Sequence, residues 1–207
     1  MRRLVKLALL AVGILMLLGG LLLRSTLRQG FSTHGEPSRM EAWAARKARH
    51  WSTPADLRGE KNPLPLTPGV LAEARAHWAD HCASCHGNDG RGQTALGKKM
   101  YPRAPDMTLP ATRSLSDGEL FSIIENGIRL TGMPGWGDGT AESAYGSWGL
   151  VHFVRHLPEL TPDEIAEMEA LNPKTPEEWE QLQAEEAFLS GEAGPEDPAA
   201  SSASHPH

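Results

Sequence analysis

Residues 82–86 read Cys82-Ala83-Ser84-Cys85-His86, and the rest of the sequence is best read outward from them. The chain contains no cysteine besides these two. A disulfide framework needs several spaced pairs and is excluded. C-x-x-C-H is the attachment sequence of c-type haem. Two thiols at this spacing reach both vinyl groups of one haem and form thioethers, and the adjacent imidazole then stands beneath the iron. A redox dithiol calls for a βαβ setting, and nothing near residue 82 suggests one. A structural zinc site needs four ligands, and Cys82, Cys85 and His86 supply three. The expectation is one haem c, bonded through Cys82 and Cys85, with His86 as an iron ligand.

The iron then needs a sixth ligand or keeps an open position. Residues 126–136 read Asn-Gly-Ile-Arg-Leu-Thr-Gly-Met-Pro-Gly-Trp. Met133 lies among Gly and Pro, where a helix interior is ruled out, so its thioether is free to face a ligand instead of packing in a helical stripe. Soft sulfur suits haem iron and, opposite His, raises the reduction potential. Met100, Met107 and Met168 are weaker candidates. His77 and His81 share a helix with Cys82 and cannot easily reach the far side, while His152 and His156 fit the surface of a later helix. Met133 is the expected second metal ligand.

Helical segments surround both motifs. Ser116 reads as an N-cap with Asp117 and Glu119 in the first turn and Gly127 past the last. Between these ends, Leu120, Phe121, Ile123 and Ile124 supply a face to cover the haem. Leu150, Val151, Val154 and Leu157 give a 3,4-spaced apolar face on a later helix. Tyr101-Pro102-Arg103-Ala104-Pro105-Asp106 reads as a constrained loop.

Residues 67–157 resemble a class I c-type cytochrome: a helix ending in CASCHG, a middle helix, a T-G-M-P-G-W ligand loop and an aromatic last helix. The stretch is particularly similar to the monohaem domains of membrane-bound cytochrome oxidase and dehydrogenase subunits. The resemblance implies an all-α fold around one covalently attached haem, in which the first and last helices cross. Ala74 and Trp78 would meet Trp148, Leu150, Val151 and Phe153 there. It also implies that a proline carbonyl, with Pro105 the closer match, accepts the His86 Nδ1 proton and fixes the ring. Arg103, Arg129 and Trp136 are candidates for the haem propionates.

The flanks differ from this centre. Leu7 to Leu23 is an uninterrupted apolar run bounded by Lys6 and Arg24. As a helix it spans about 25 Å, a little short of the ~30 Å hydrocarbon core. No small-x-small cleavage site follows, which favours an uncleaved anchor over a signal peptide. Arg2, Arg3 and Lys6 favour a cytoplasmic N-terminus and an exported remainder. Met40, Trp43, Ala44 and Trp51 lie among Arg39, Arg46, Lys47 and Arg49, and read either as an interfacial helix on anionic lipid or as a helix packed on the main domain. From residue 159 onward there are 13 Asp and Glu against one basic residue, Lys174. Thr161-Pro162-Asp163-Glu164 and Thr175-Pro176-Glu177-Glu178 each open a helix, with Asn172-Pro173 between them. Trp179, Leu182 and Leu189 share a face of the second helix, suited to docking on the core or a partner. After Gly191 the composition reads as disordered, and His205 and His207 are at most a loose metal site. The expected organisation is an anchor over 1–24, a connector over 25–61, a haem domain over 62–158, an acidic helical extension over 159–190 and a tail over 191–207.

With 207 residues and a net charge of −6, the chain is of ordinary globular composition, and nucleic-acid binding is not expected. No acid–base dyad, nucleophile or phosphate loop accompanies the haem motifs. The expected function is a one-electron carrier, not an enzyme in itself. It would be tethered to the outer, periplasmic face of a bacterial cytoplasmic membrane, between a membrane-bound redox complex or dehydrogenase and an acceptor. The rivals are a gas sensor or peroxidase-like subunit with an open sixth position, and an electron-entry subunit docked through its acidic helices.

Overall fold

The computed structural model describes residues 2–29 and 32–190, all of its regular structure helical. The tail over 191–207, with His205 and His207, lies outside the described residues. Helix α1 runs Arg2–Gln29, and α2 follows at Arg39–Ser52, capped by the Ser38 hydroxyl on the Glu41 N–H. The apolar stretch of α1 has a mean hydropathy of 2.4 and is entirely exposed. It is long and apolar enough to cross a membrane, compatible with a single-pass anchor.

Helix α3 (Pro68–His77) begins where Thr67 caps Val70 N–H and Pro68 takes the first turn, the position at which a missing N–H costs nothing. Helix α4 (Ala83–His86) continues it after a π-helical turn, Trp78–Cys82. A short α5 (Pro110–Arg113) precedes α6 (Asp117–Asn126), which carries the expected capping box between Ser116 and Glu119. Helix α7 (Ala141–His156) is the longest of the packed helices.

The core forms where α7 lies across both α3 and α6. Leu150, Val151, Phe153 and Val154 of α7 are buried against Ala74 and Trp78, with the Trp78 and Phe153 rings 5.3 Å apart. The crossing point has room for a small residue only. A Cβ on Gly149 would lie 3.5 Å from the Ala74 Cβ, so only small groups fit between the two backbones. On the other side of α7, Trp148 stacks on Phe121 at 4.2 Å. Phe121 thereby joins α6 to α7. Leu120 and Ile124 are buried, whereas Ile123 lines a cleft against α2.

The acidic extension divides in two. Helix α8 (Pro162–Leu171) has the Thr161–Glu164 capping box and packs on α3 and the π turn. Met168 is fully buried in the core, and Arg75 bonds Glu164 and Glu167. Helix α9 (Pro176–Ser190) buries no residue; Trp179, Leu182, Phe188 and Leu189 are all exposed. It does not dock on the core.

Candidate functional site

The chain enters the C-x-x-C-H segment through the π turn, in which the Ala83 N–H reaches back to the Trp78 carbonyl, five residues earlier. Such a turn shifts the side chains that follow it around the helix axis, and π turns recur at functional sites. Nothing in the local sequence signals it. The Trp78 indole N–H donates to the Gly87 carbonyl at 3.0 Å and its ring lies 5.8 Å from that of His86. One tryptophan thus joins the helix crossing to the end of the motif.

Cys82 is buried and Cys85 half-buried, and both are free thiols. Burial, with the neighbouring Cys85 adding to it, pushes the Cys82 thiol up to about 12. At neutral pH it is held as the thiol and not as a redox thiolate. The Thr94 hydroxyl donates to the Cys85 carbonyl at 3.1 Å and closes the following loop against the motif.

His86 is 8 % exposed, and burial lowers it to about 4. The imidazole is neutral at physiological pH, as a metal ligand must be. Its Nδ1 is buried and unpartnered, the only buried side-chain nitrogen or oxygen of that kind among the described residues. The bond to a proline carbonyl that resemblance implies is therefore not made, and Pro105 lies exposed. An unpaired buried ring nitrogen is costly. The ring lies against Trp78, and its Nδ1 has no acceptor in this structure.

The second motif closes the end of α6. Gly127 has φ +65°, and a Cβ there would lie 2.5 Å from the Gly135 nitrogen and 2.7 Å from the Met133 carbonyl. Only glycine lets the loop fold back this closely. Ile128 N–H donates to the Met133 carbonyl, and the Thr131 hydroxyl accepts from the Met133 N–H at 3.1 Å. Trp136 then stacks on His81 with ring centroids 5.3 Å apart. The stack holds the Met133 loop beside the residue that precedes Cys82.

Three of the alternative ligands are occupied elsewhere. Met168 is in the core, His152 bonds the Leu64 carbonyl at 2.9 Å, and His156 pairs with Glu164. Met100 packs on the loop, its Sδ 2.8 Å from where a Cβ on Gly132 would stand. Among the propionate candidates, Arg103 pairs with Glu36 at 2.9 Å, Arg129 is exposed and Trp136 is in the His81 stack.

Residues 69–154 match the family model described as cytochrome c oxidase, cbb3-type, subunit III. They form a class I c-type cytochrome domain. The match covers under half of the chain and contains both motifs. No curated protein matches the chain. Haem-based electron transfer is the chemistry of this class of domain. The donor set fits the group: two thiols, a neutral buried imidazole next to them, and a thioether in a loop that the Trp136–His81 stack holds beside the motif. Among the described residues no cluster of His, Cys, Asp and Glu offers a site for another metal.

Proposed function

We propose that this protein is a membrane-tethered electron relay whose cytochrome domain carries one haem c on the outer face of a bacterial cytoplasmic membrane. Cys82 and Cys85 would hold the haem covalently, and His86 and Met133 would ligate its iron. When bound, the haem supplies one-electron exchange between Fe(II) and Fe(III). The chain's own work is positional. Trp78 holds the His86 ring, and the folded-back loop presents Met133 beside the attachment motif. With both His86 and Met133 on the iron, oxygen and peroxide would be kept from it, so the reading is a carrier and not an enzyme.

The observation that carries this reading is the Trp136–His81 stack, which brings the thioether loop to the attachment motif. The apolar exposed α1 supports tethering, which raises the local concentration at membrane partners and limits reach. The exposed apolar residues of α9 support docking as a subunit of a membrane redox complex. The family description points to an oxidase as one such complex.

The attachment is tested by acid–acetone extraction. Wild type retains all its haem, whereas Cys82→Ala and Cys85→Ala hold it by one thioether or lose it. Full retention in a Cys82→Ala/Cys85→Ala double variant would refute the attachment. Docking is tested by removing residues 175–207, a cut that spares Met168. Loss of co-purification with the complex is expected, and unchanged assembly would leave α9 without that role.

A further inference from the structure

Helix α2 docks with one face and leaves the other bare. Ala42 and Arg49 are part buried and His50 bonds Glu119 of α6 at 2.7 Å. At 100° per residue, Met40, Ala44, Lys47 and Trp51 line the opposite side, with Trp43 next to them. Met40, Trp43 and Trp51 are 72 %, 57 % and 71 % exposed. A helix that only packs on its own domain has no need of two tryptophans and a methionine in the open.

Of the helix's cations Lys47 shares that face, while Arg39, Arg46 and Arg49 lie toward the docked side. Helix α2 holds Arg39, Arg46, Lys47 and Arg49 against a single acid, Glu41, in a chain of net charge −6. Trp43, Arg46, Lys47 and Arg49 form one wall of a cleft whose other wall includes Ser114 and Leu115. Arg49 is half-buried there, and its neighbour Glu119 is taken by His50. The cleft is thus cationic and lipped by tryptophan.

Position completes the argument. Helix α1 ends at Gln29 and α2 begins at Arg39, so the intervening chain spans at most about 35 Å fully extended. Contacts run from α2 to α6 through His50–Glu119, from α6 to α7, from α7 to α3 and from α3 to α8. Basic α2 and acidic α8 therefore stand at opposite ends of this series of packed elements.

We infer that α2 is a membrane-surface helix, its Met40–Trp43–Trp51 face seated at the headgroup boundary, with Lys47 on that face and Arg46 at the cleft meeting the phosphates of anionic phospholipid. The inference rests on α1 crossing the membrane. Seating α2 this way fixes which side of the cytochrome domain faces the bilayer. It turns the acidic α8 away from the anionic surface, where like charge would repel it.

The test uses the full haem-loaded chain, whose native thiols are consumed, with Ala44→Cys carrying an environment-sensitive NBD label. The protein is reconstituted in nanodiscs of phosphatidylcholine with or without phosphatidylglycerol, and doxyl lipid serves as quencher. The blank is the parent protein taken through the same labelling. The expected result is a blue-shifted label, quenched several-fold more in the phosphatidylglycerol discs than a label at Glu169→Cys on α8. Arg46→Gln/Lys47→Gln should reduce that difference. A water-like signal at position 44 that matches position 169 would overturn the inference, and equal quenching in both lipids would overturn its anionic part. Protein washed from the discs by alkaline carbonate would instead refute the anchor, a separately read result.

Discussion

The indole of Trp136 lies against the imidazole of His81 with the two planes inclined by only 23°. His81 immediately precedes Cys82, and Trp136 follows Met133 by three residues, so this contact couples the two haem motifs. Aromatic contacts of this kind contribute about 1 kcal/mol, roughly a fivefold change in the balance between a closed and an open loop. Trp136→Ala should make the Met133–iron bond easier to displace, seen as faster carbon monoxide binding to the reduced protein. Trp136→Phe should restore slow binding. Equal rates in all three proteins would remove Trp136 from the positioning of the ligand.

The ligand itself is tested by potential. Met133→Ala removes the soft sulfur opposite His86 and should lower the reduction potential and open the iron to carbon monoxide. Met100→Ala should leave both nearly unchanged, since Met100 packs against Gly132 without being the expected ligand. A potential that follows Met100 and ignores Met133 would move the ligand.

At the helix crossing, Gly149→Ala places its methyl in ordinary contact with Ala74 at 3.5 Å. It should be close to neutral, because alanine also favours the helix. Gly149→Leu must push α3 from α7 and should cost about 1–3 kcal/mol. Urea midpoints of the two variants measure this, and equal midpoints would show that the helices do not pack through this position.

Acid should release α8. Burial alone would raise the Glu164 carboxyl, but the Thr161 N–H, the His156 ring and the Thr161 hydroxyl overcome it and hold it at about 2, against an ordinary 4.5. A carboxylate depressed on folding contributes stability that is present above pH ~4.5 and lost as pH falls toward 2. With solvent screening, the contribution is on the order of 1 kcal/mol. Glu164→Gln should lower stability at pH 7 and flatten the acid limb between those values. A variant as stable as wild type at pH 7 would contradict this.

The sequence spoke most clearly where a residue's chemistry is local. The capping boxes at Ser116 and Thr161, the break at Asn172 and the left-handed Gly127 depend on neighbours a few residues away, and all are found as expected. Contacts set by tertiary packing were hidden. Met168 sits in an acidic stretch, yet it is a fully buried core residue, because α8 is anchored from Arg75. The Phe121 stack on Trp148 likewise joins residues far apart in the chain. The π turn at Trp78–Cys82 and the close approach at Gly149 carry no periodic signal. Nor does the unpaired Nδ1 of His86, which differs from the proline bond implied by resemblance.

The central claim is that His86 and Met133 both bind one covalently held haem. It is tested most directly by the optical spectrum of the full-length ferric protein, followed by reduction under carbon monoxide. The account predicts the weak far-red band of sulfur on ferric haem iron and no spectral change with carbon monoxide. A missing band together with ready carbon monoxide binding would mean an open iron and would contradict the electron-carrier reading.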